Sequence, residues 1–394
     1  MDEPRMLLPL TLILILRGLF AQNESDERPL LRIDQGISFS QDSLFSLNLR
    51  FRMQNRFGYL SQLDDTATAG YDIRVRRLRL RLDGLAPSLR LSYYIQLSFS
   101  AGDQDYVEGF ALNIVRDAMV YYTVSPSFYI GLGQSKLPGN RQRVISSGNL
   151  QMPERSYANQ FYTLDRDVGI FFYKTVQVGA QQFQLKGAIT GGEGRLSGLS
   201  NTGLAYTLRW EYLPFGSFQN TGDYSEGDLD WEPSPRLSIG ATYSLNQRAL
   251  RAGGQLGQPL YSPTDITTLL TDAILKYRGW CISVEVFQRV IRPTDPFDPS
   301  VRSIYSGYAW NLQVSKIWRR QHEIAFRWTE VCPSLDYRLY QAYWRTRAIA
   351  YNYYLRGHRI KAQLYLGLDD RTETLSLRPL RNRVSAILQV EFGI

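Results

Sequence analysis

From residue 42 to the C-terminus, apolar and polar residues alternate in short stretches separated by turn-rich segments. In FSLNLRFRMQNRF, residues 45–57, Leu47, Leu49, Phe51 and Met53 fall on one side of an extended chain and Asn48, Arg50, Arg52 and Gln54 on the other. A period of two is what a strand with one apolar and one polar face requires, because successive side chains point to opposite sides. Residues 77–82 alternate Arg77, Arg79 and Arg81 with Leu78, Leu80 and Leu82. The last segment sets Val384, Ala386, Leu388, Val390, Phe392 and Ile394 on one face. About 16 such segments begin near residues 43, 72, 88, 114, 127, 166, 181, 203, 235, 267, 279, 303, 321, 339, 356 and 380. No stretch of helical period and no domain linker interrupts them.

The connections alternate in length. Short ones lie at 83–87, 125–126, 176–179, 277–279, 319–320 and 357–358; long ones lie at 59–71, 101–113, 137–165, 191–202, 248–265, 291–302, 332–338 and 369–379. Short turns at one end and long loops at the other, with an even strand count, predict an all-β fold: a transmembrane antiparallel β-barrel of up-and-down type, with both termini at the periplasmic, short-turn end. One connection departs from the rule. Residues 214–234 should form a short turn, yet are long and rich in Gly, Asp and Glu, which predicts a polar excursion.

The N-terminus supports export. The apolar run at residues 7–16, followed by a stretch ending in Ala21, has the length of a signal-peptide core. Residues 1–21 are expected to be a signal peptide, 22–41 a periplasmic extension acidic at Glu24, Asp26 and Glu27, and 42–394 the barrel. A helical membrane protein would need several apolar runs of about 20 residues, and this is the one apolar run of note. A soluble β-sandwich or propeller shares the alternation, but export, strand number and the absence of a repeat of about 40 residues argue against both. The chain is therefore expected in a bacterial outer membrane, in contact with its lipids.

Composition sharpens the picture in two ways. Net charge is +8 and 13% of residues are aromatic. That combination suits single-stranded nucleic-acid binding or a cationic lumen with interfacial aromatic girdles; export selects the second, and no nucleic-acid partner is expected. Tyr121 with Tyr122, Trp210 with Tyr212, Trp280, Trp318, Trp328 and Tyr353 with Tyr354 lie near strand ends, as girdles would. Cys281 and Cys332 fall near opposite ends of their strands, so no disulfide is expected.

A Lys or Arg facing lipid near the bilayer midplane costs about 2–4 kcal/mol. Arg77, Arg79 and Arg81 should therefore face the lumen, as should Arg50, Arg52 and Arg56 on the adjacent strand. The longest connection, residues 137–165, carries Arg141, Arg143, Glu154 and Arg155 just after Lys136. A loop of this length is usually functional or disordered, and its charges would dominate selectivity if it narrowed the pore. These ten basic residues are the candidate pore-lining set, with lumenal acids as competing partners. Catalysis and metal binding find no support. The two histidines, His322 and His358, fall at predicted periplasmic turns, and no Cys/His ligand spacing or Gly-rich phosphate loop occurs. Asp165-Arg166-Asp167 reads as an ion pair at a strand start. Asp103 with Asp105, and Asp369 with Asp370, are acidic loop pairs that would at most bind divalent ions weakly, and no cofactor is expected.

FSLNLRFRMQNRF, IRVRRLRLRLDG, GLGQSKLPGNRQRVISSGNLQ with ERS and LDRDVGI following, and PRLSIGATY together make the chain resemble the phosphate-selective porin O and P family, particularly its Bacteroidetes members. The resemblance spans the mature chain and is most specific over residues 131–170. It implies an outer-membrane barrel of 16 strands, usually a homotrimer, with an inward-folded third external loop. It also suggests passage of small polar or anionic solutes through a basic lumen, with phosphate specificity not carried over. The family's phosphate-binding residues are not assigned here. The chain ends in Phe392-Gly393-Ile394 rather than the commoner terminal Phe. The alternative expectation is a non-transport barrel within a larger outer-membrane complex, with a plugged lumen and contacts through its loops or residues 214–234.

Overall fold

The computed structural model describes residues 32–33, 36–41, 45–62, 65–86, 90–100, 114–195, 202–372 and 379–394. The expected signal peptide, the acidic residues of the extension and the Asp103–Asp105 pair lie outside them.

Sixteen antiparallel strands close into one barrel. They are β3 (Phe45–Gln62), β4 (Asp65–Leu85), β5 (Leu91–Ser98), β6 (Val115–Ser125), β7 (Phe128–Lys136), β8 (Arg166–Val178), β9 (Gln181–Thr190), β10 (Ala205–Leu213), β11 (Arg236–Arg251), β12 (Pro259–Tyr277), β13 (Trp280–Pro293), β14 (Gly307–Trp318), β15 (His322–Pro333), β16 (Tyr343–Arg356), β17 (Ile360–Thr372) and β18 (Pro379–Gly393). Each pairs with the next in sequence, and β18 pairs back onto β3 from Arg383 opposite Gln62 to Gly393 opposite Arg52. Closure leaves no unpaired barrel edge, which a bilayer demands because lipid cannot satisfy free N–H and C=O groups.

Two short strands precede the barrel, β1 (Arg32–Ile33) and β2 (Ile37–Gln41). β2 pairs with the start of β3, Ile37 opposite Leu49 and Gln41 opposite Phe45, along the edge that β18 vacates beyond Gly393. The end of the segment expected as a free extension thus continues the seam where the chain termini meet.

β13 shows how the sequence chooses its faces. Cys281, Ser283, Glu285, Phe287, Arg289 and Ile291 are buried, whereas Trp280, Ile282, Val284, Val286 and Val290 are exposed. Charged groups inside and apolar groups outside invert the pattern of a soluble protein and match a lipid-facing wall. Two girdle residues depart from expectation. Tyr354 is 1% exposed and donates its hydroxyl to Glu323 inside the barrel, and Tyr121 lines the lumen while Tyr122 faces out. Adjacent tyrosines on one strand must take opposite faces.

Strand lengths differ from the sequence expectation at the external end. The connection read as residues 59–71 is largely strand, with β3 and β4 paired out to Gln62 opposite Asp65. β12 begins at Pro259 rather than near 267. Beyond the membrane both strand faces meet water, so the ladder continues without the alternation that betrays it in sequence.

Candidate functional site: a loop-lined basic lumen

The site is built by residues 137–165 folding into the barrel. The neck is closed by the Leu137 N–H donating to the Asp165 carbonyl at 2.9 Å. Inside lie one helical turn, α1 (Arg141–Val144), a 3₁₀ turn at Ser147–Asn149, and α2 (Tyr157–Tyr162), whose first turn is capped by Ser156 accepting from the Asn159 N–H. Leu137, Ile145, Leu150, Met152, Ala158, Tyr162 and Leu164 are all buried, and several pack on Phe171, Phe287 and Val331 of the wall. Hydrophobic burial of such a set is what draws the loop inward.

Its polar groups are met by the wall. Asn140 Nδ2 and the Gln142 N–H donate to Glu285 Oε1 at 2.9 and 2.7 Å. Gln151 Nε2 donates to Glu323 at 2.6 Å. Lys361 Nζ donates to the Gly148 and Leu150 carbonyls, both at 2.7 Å. Arg52 donates to the hydroxyls of Ser146 and Ser147 at 2.9 Å, and Arg79 to Ser147 at 3.0 Å. The approach at Gly148 is so close that a Cβ would fall 2.0 Å from Arg52 Nη1, so glycine is required if Arg52 is to keep this position.

The excursion at residues 214–234 also folds inward, from the periplasmic end. The Glu226 N–H donates to the Asn149 carbonyl at 2.9 Å, and its carboxylate accepts from Gln142 Nε2 at 2.9 Å and the Gln151 N–H at 2.7 Å. Its carbonyl lies 2.9 Å from His358 Nε2. Asp228 accepts from the Gly279 N–H at 2.6 Å. Loop and excursion meet in mid-lumen and together fill the half lined by β11 to β17.

The larger open space lies mainly against β3 to β9. An external cavity of about 370 Å³ and a periplasmic cavity of about 570 Å³ share three basic side chains, Arg79, Lys136 and Arg166. Lys136 Nζ donates to the Val144 and Ile145 carbonyls at 3.0 and 3.3 Å. Arg166 makes a two-pronged pair with Asp117 at 2.9 and 3.0 Å. On the external side, Glu154 receives Arg56 at 2.6 Å, Arg77 at 2.8 Å, and Arg76. A β-bulge on β4 skips Arg76 between the pairs Gln54–Arg77 and Asn55–Val75, which lets two consecutive arginines reach one carboxylate. Burial opposes ionisation of Glu154, but Arg77, Arg76 and Arg56 outweigh it and hold its carboxyl below the usual range.

Arg50, Arg52 and Arg81 border the periplasmic cavity, Arg77, Arg143 and Arg155 the external one, and Arg79 and Lys136 both. Arg56 borders neither, being held behind Glu154. Arg141 also departs from the pore-lining expectation. Its side chain is 1% exposed and reaches across to the far wall, donating to Asp272 at 2.9 Å and Ser238 at 2.8 Å. It anchors the loop instead of facing solute. Sequence reasoning missed Arg116, Arg166 and Arg195, which border the external cavity. Arg166 was legible in principle, since it pairs in register with Lys136 across the neck of the long loop. Asp369 is held by Thr346 and Tyr157, and Asp370 by Arg347.

Residues 47–230 match the sequence model of the phosphate-selective porin O and P family. No curated protein matches the chain in sequence. Among solved structures, the chain is similar to the anion-selective porin from Comamonas acidovorans, with 13% identity, a TM-score of 0.57, and coverage of 89% of this chain and 100% of that one. It is also similar to the outer membrane channel DcaP of Acinetobacter baumannii, at 12% identity and TM-score 0.55, covering 91% and 100%. The trimer form of OmpT from Vibrio cholerae aligns at 7% identity and TM-score 0.54, covering 89% and 100%. At such identities these structures speak for the fold. With the sequence pattern of the phosphate-selective porin O and P family in residues 47–230 and a closed 16-stranded barrel narrowed by its third external loop, this chain is similar to that family over those residues and is a porin of the bacterial outer membrane.

Proposed function

We propose that the barrel is a passive diffusion pore that prefers small anions, phosphate among them, and carries no catalytic activity. The observation that supports this best is the border common to the two cavities, formed by Arg79, Lys136 and Arg166. Asp117 neutralises part of that charge, leaving a cationic excess. In a narrow lumen with low-dielectric walls, field lines are focused and screening is weakest, so a small excess governs which ions pass. Planar guanidinium groups also suit the oxygens of phosphate. The external cavity carries nine basic side chains against Glu154 and Asp165, so an entering anion meets favourable potential before the constriction.

The test is the zero-current potential of the variant with both Arg79→Ala and Lys136→Ala in a salt gradient across a planar bilayer. The anion-to-cation permeability ratio should fall severalfold from wild type with the barrel folded; an unchanged ratio would remove these residues from the selectivity mechanism.

The functional form is proposed to be a homotrimer, exported by a signal peptide cleaved after Ala21. A competing reading, a plugged subunit of a larger complex, draws on the filled half of the lumen. Purification from native membranes separates the two: a conducting homotrimer supports the porin, and stoichiometric partners without conductance support the complex.

A further inference from the structure

The periplasmic half of the open lumen has a second chemical character besides positive charge. Tyr94, Tyr121, Tyr129 and Tyr173 stand on four consecutive strands, β5 to β8, and all border the lumen. Tyr129 and Tyr173 stack with centroids 4.5 Å apart and planes at 11°, and Tyr121 meets them edge-on at 5.8 and 6.2 Å. Aromatic residues of a barrel ordinarily sit on its outer face at the lipid interface. Here Val120 and Tyr122 supply the outer face, and the tyrosine track looks inward. Tyr94, Tyr121 and Tyr173 pack partly on the buried apolar cluster between loop and wall, whereas Tyr129 does not and is 40% exposed.

The periplasmic cavity adjoins another of about 450 Å³ bordered by Tyr129, Tyr173, Gln182, Gln184 and Lys186. The two adjoin across Ser135, Lys136 and Val144, a two-part chamber with a basic and an aromatic–amide side. Within the basic side, the Arg81 guanidinium lies 4.6 Å above the Tyr94 ring. Both volumes fall in the range of small-molecule sites, about 300–1,000 Å³.

Building on the anion-pore reading, we propose that this chamber is a binding site for hexose phosphates on their way through the channel. The phosphate would lie against the guanidinium groups of Arg50 and Arg81, which share Asp83 as their present partner, with Arg52, engaged by Ser146 and Ser147, adding charge beside them. The C–H face of the sugar ring is apolar and slightly positive, and it stacks on the negative face of a tyrosine ring. Sugar hydroxyls both give and take hydrogen bonds, as side-chain amides do. Gln184 offers both functions, and Gln182, whose carbonyl already accepts from Ser217, offers its NH₂. Inorganic phosphate alone would use neither the ring faces nor the amides, and an aromatic carboxylate would leave the amides unused.

The test is titration of ion current through the full-length barrel in planar bilayers with glucose 6-phosphate, inorganic phosphate or glucose. Wild type should be half-blocked by glucose 6-phosphate at a concentration at least about fivefold below that for inorganic phosphate, as one stacking contact of ordinary strength allows, and glucose should act only weakly. In the variant carrying Tyr129→Ala and Tyr173→Ala the advantage should vanish, while the effect of inorganic phosphate and the zero-current potential stay unchanged. Tyr129→Phe with Tyr173→Phe keeps the ring faces and should keep most of the advantage. Equal sensitivity of wild type to both phosphates would overturn the proposal even if the alanine variant failed to fold, as would an alanine variant that kept the preference. A cation-preferring wild type would refute the anion-pore reading itself, whereas anion preference without discrimination between the phosphates would refute only this site.

Discussion

At the scale of single residues, a basic side chain inside this barrel does one of two jobs, and its partners decide which. Arg79 and Lys136 border both cavities, whereas Arg141 is locked into a buried network with Asp272, Glu211 and Ser238. Removing one member of a buried, hydrogen-bonded ion pair costs roughly 3–5 kcal/mol. Arg141→Ala should therefore lower the temperature at which the folded barrel loses its compact gel migration, while the anion-to-cation permeability ratio of the surviving channel changes little. Glu154→Gln should free Arg56, Arg76 and Arg77 from their shared carboxylate and raise anion preference, read as a larger zero-current potential. Because the folded-state pKa of Glu154 is depressed from 4.5, its stabilisation is complete above the ordinary carboxylate range and is lost as pH falls through the folded value. Loop attachment through Glu154 should thus be constant from pH 8 to 5 and weaken only in stronger acid, as proteolysis of the loop would report. Facing was legible in the sequence, since period two and the cost of a charge in lipid fix Arg77, Arg79 and Arg81. Partners were not, because Asp272 and Glu154 are remote in sequence from the arginines they hold.

At the scale of elements, strands were far easier to read than what fills them. Alternation located all sixteen, with the largest errors where β4 and β12 run beyond the membrane. Alternating connection lengths singled out residues 214–234, but not their direction. A stretch rich in Gly, Asp and Glu looks solvated, yet Glu226, Asp228 and Glu232 are all buried, satisfied by backbone N–H groups and by the long loop. The excursion is a latch beneath that loop. Glu226→Ala removes the acceptor shared by Gln142 and Gln151, so single-channel traces should show added flicker and open-state noise. Shortening residues 215–233 to a two-residue turn should raise single-channel conductance and lower selectivity. His358, at the β16–β17 turn, holds the latch through the Glu226 carbonyl. Burial, and then Lys361, push its imidazole well below its ordinary value of 6.5. A depressed histidine contributes stability above that ordinary value, and the contribution is lost as pH falls below it towards the folded value. Flicker should therefore rise as pH drops below about 6.5 and should lose this dependence in His358→Gln.

At the scale of the whole molecule, the barrel is asymmetric in function. One half of the lumen, along β11 to β17, is packed with loop and excursion, and the other, mainly along β3 to β9, holds the larger basic cavities. This division was invisible in sequence, where Arg50, Arg141 and Arg155 look equivalent. It appears only when the loop's apolar residues choose the wall on which they pack. The family's sequence pattern over residues 47–230 covers the arginine-rich strands, the loop and most of the excursion, so the parts that shape the lumen are the parts that pattern describes. On the proposed reading, the cations around Arg79, Lys136 and Arg166 set the ion preference of the open half. This preference is tested most directly by the zero-current potential of the folded wild-type barrel in a potassium chloride gradient across a planar bilayer. The arrangement predicts a potential of the sign given by faster chloride passage, shrinking as ionic strength screens the lumen; a potential of the opposite sign, from faster potassium passage, would contradict it.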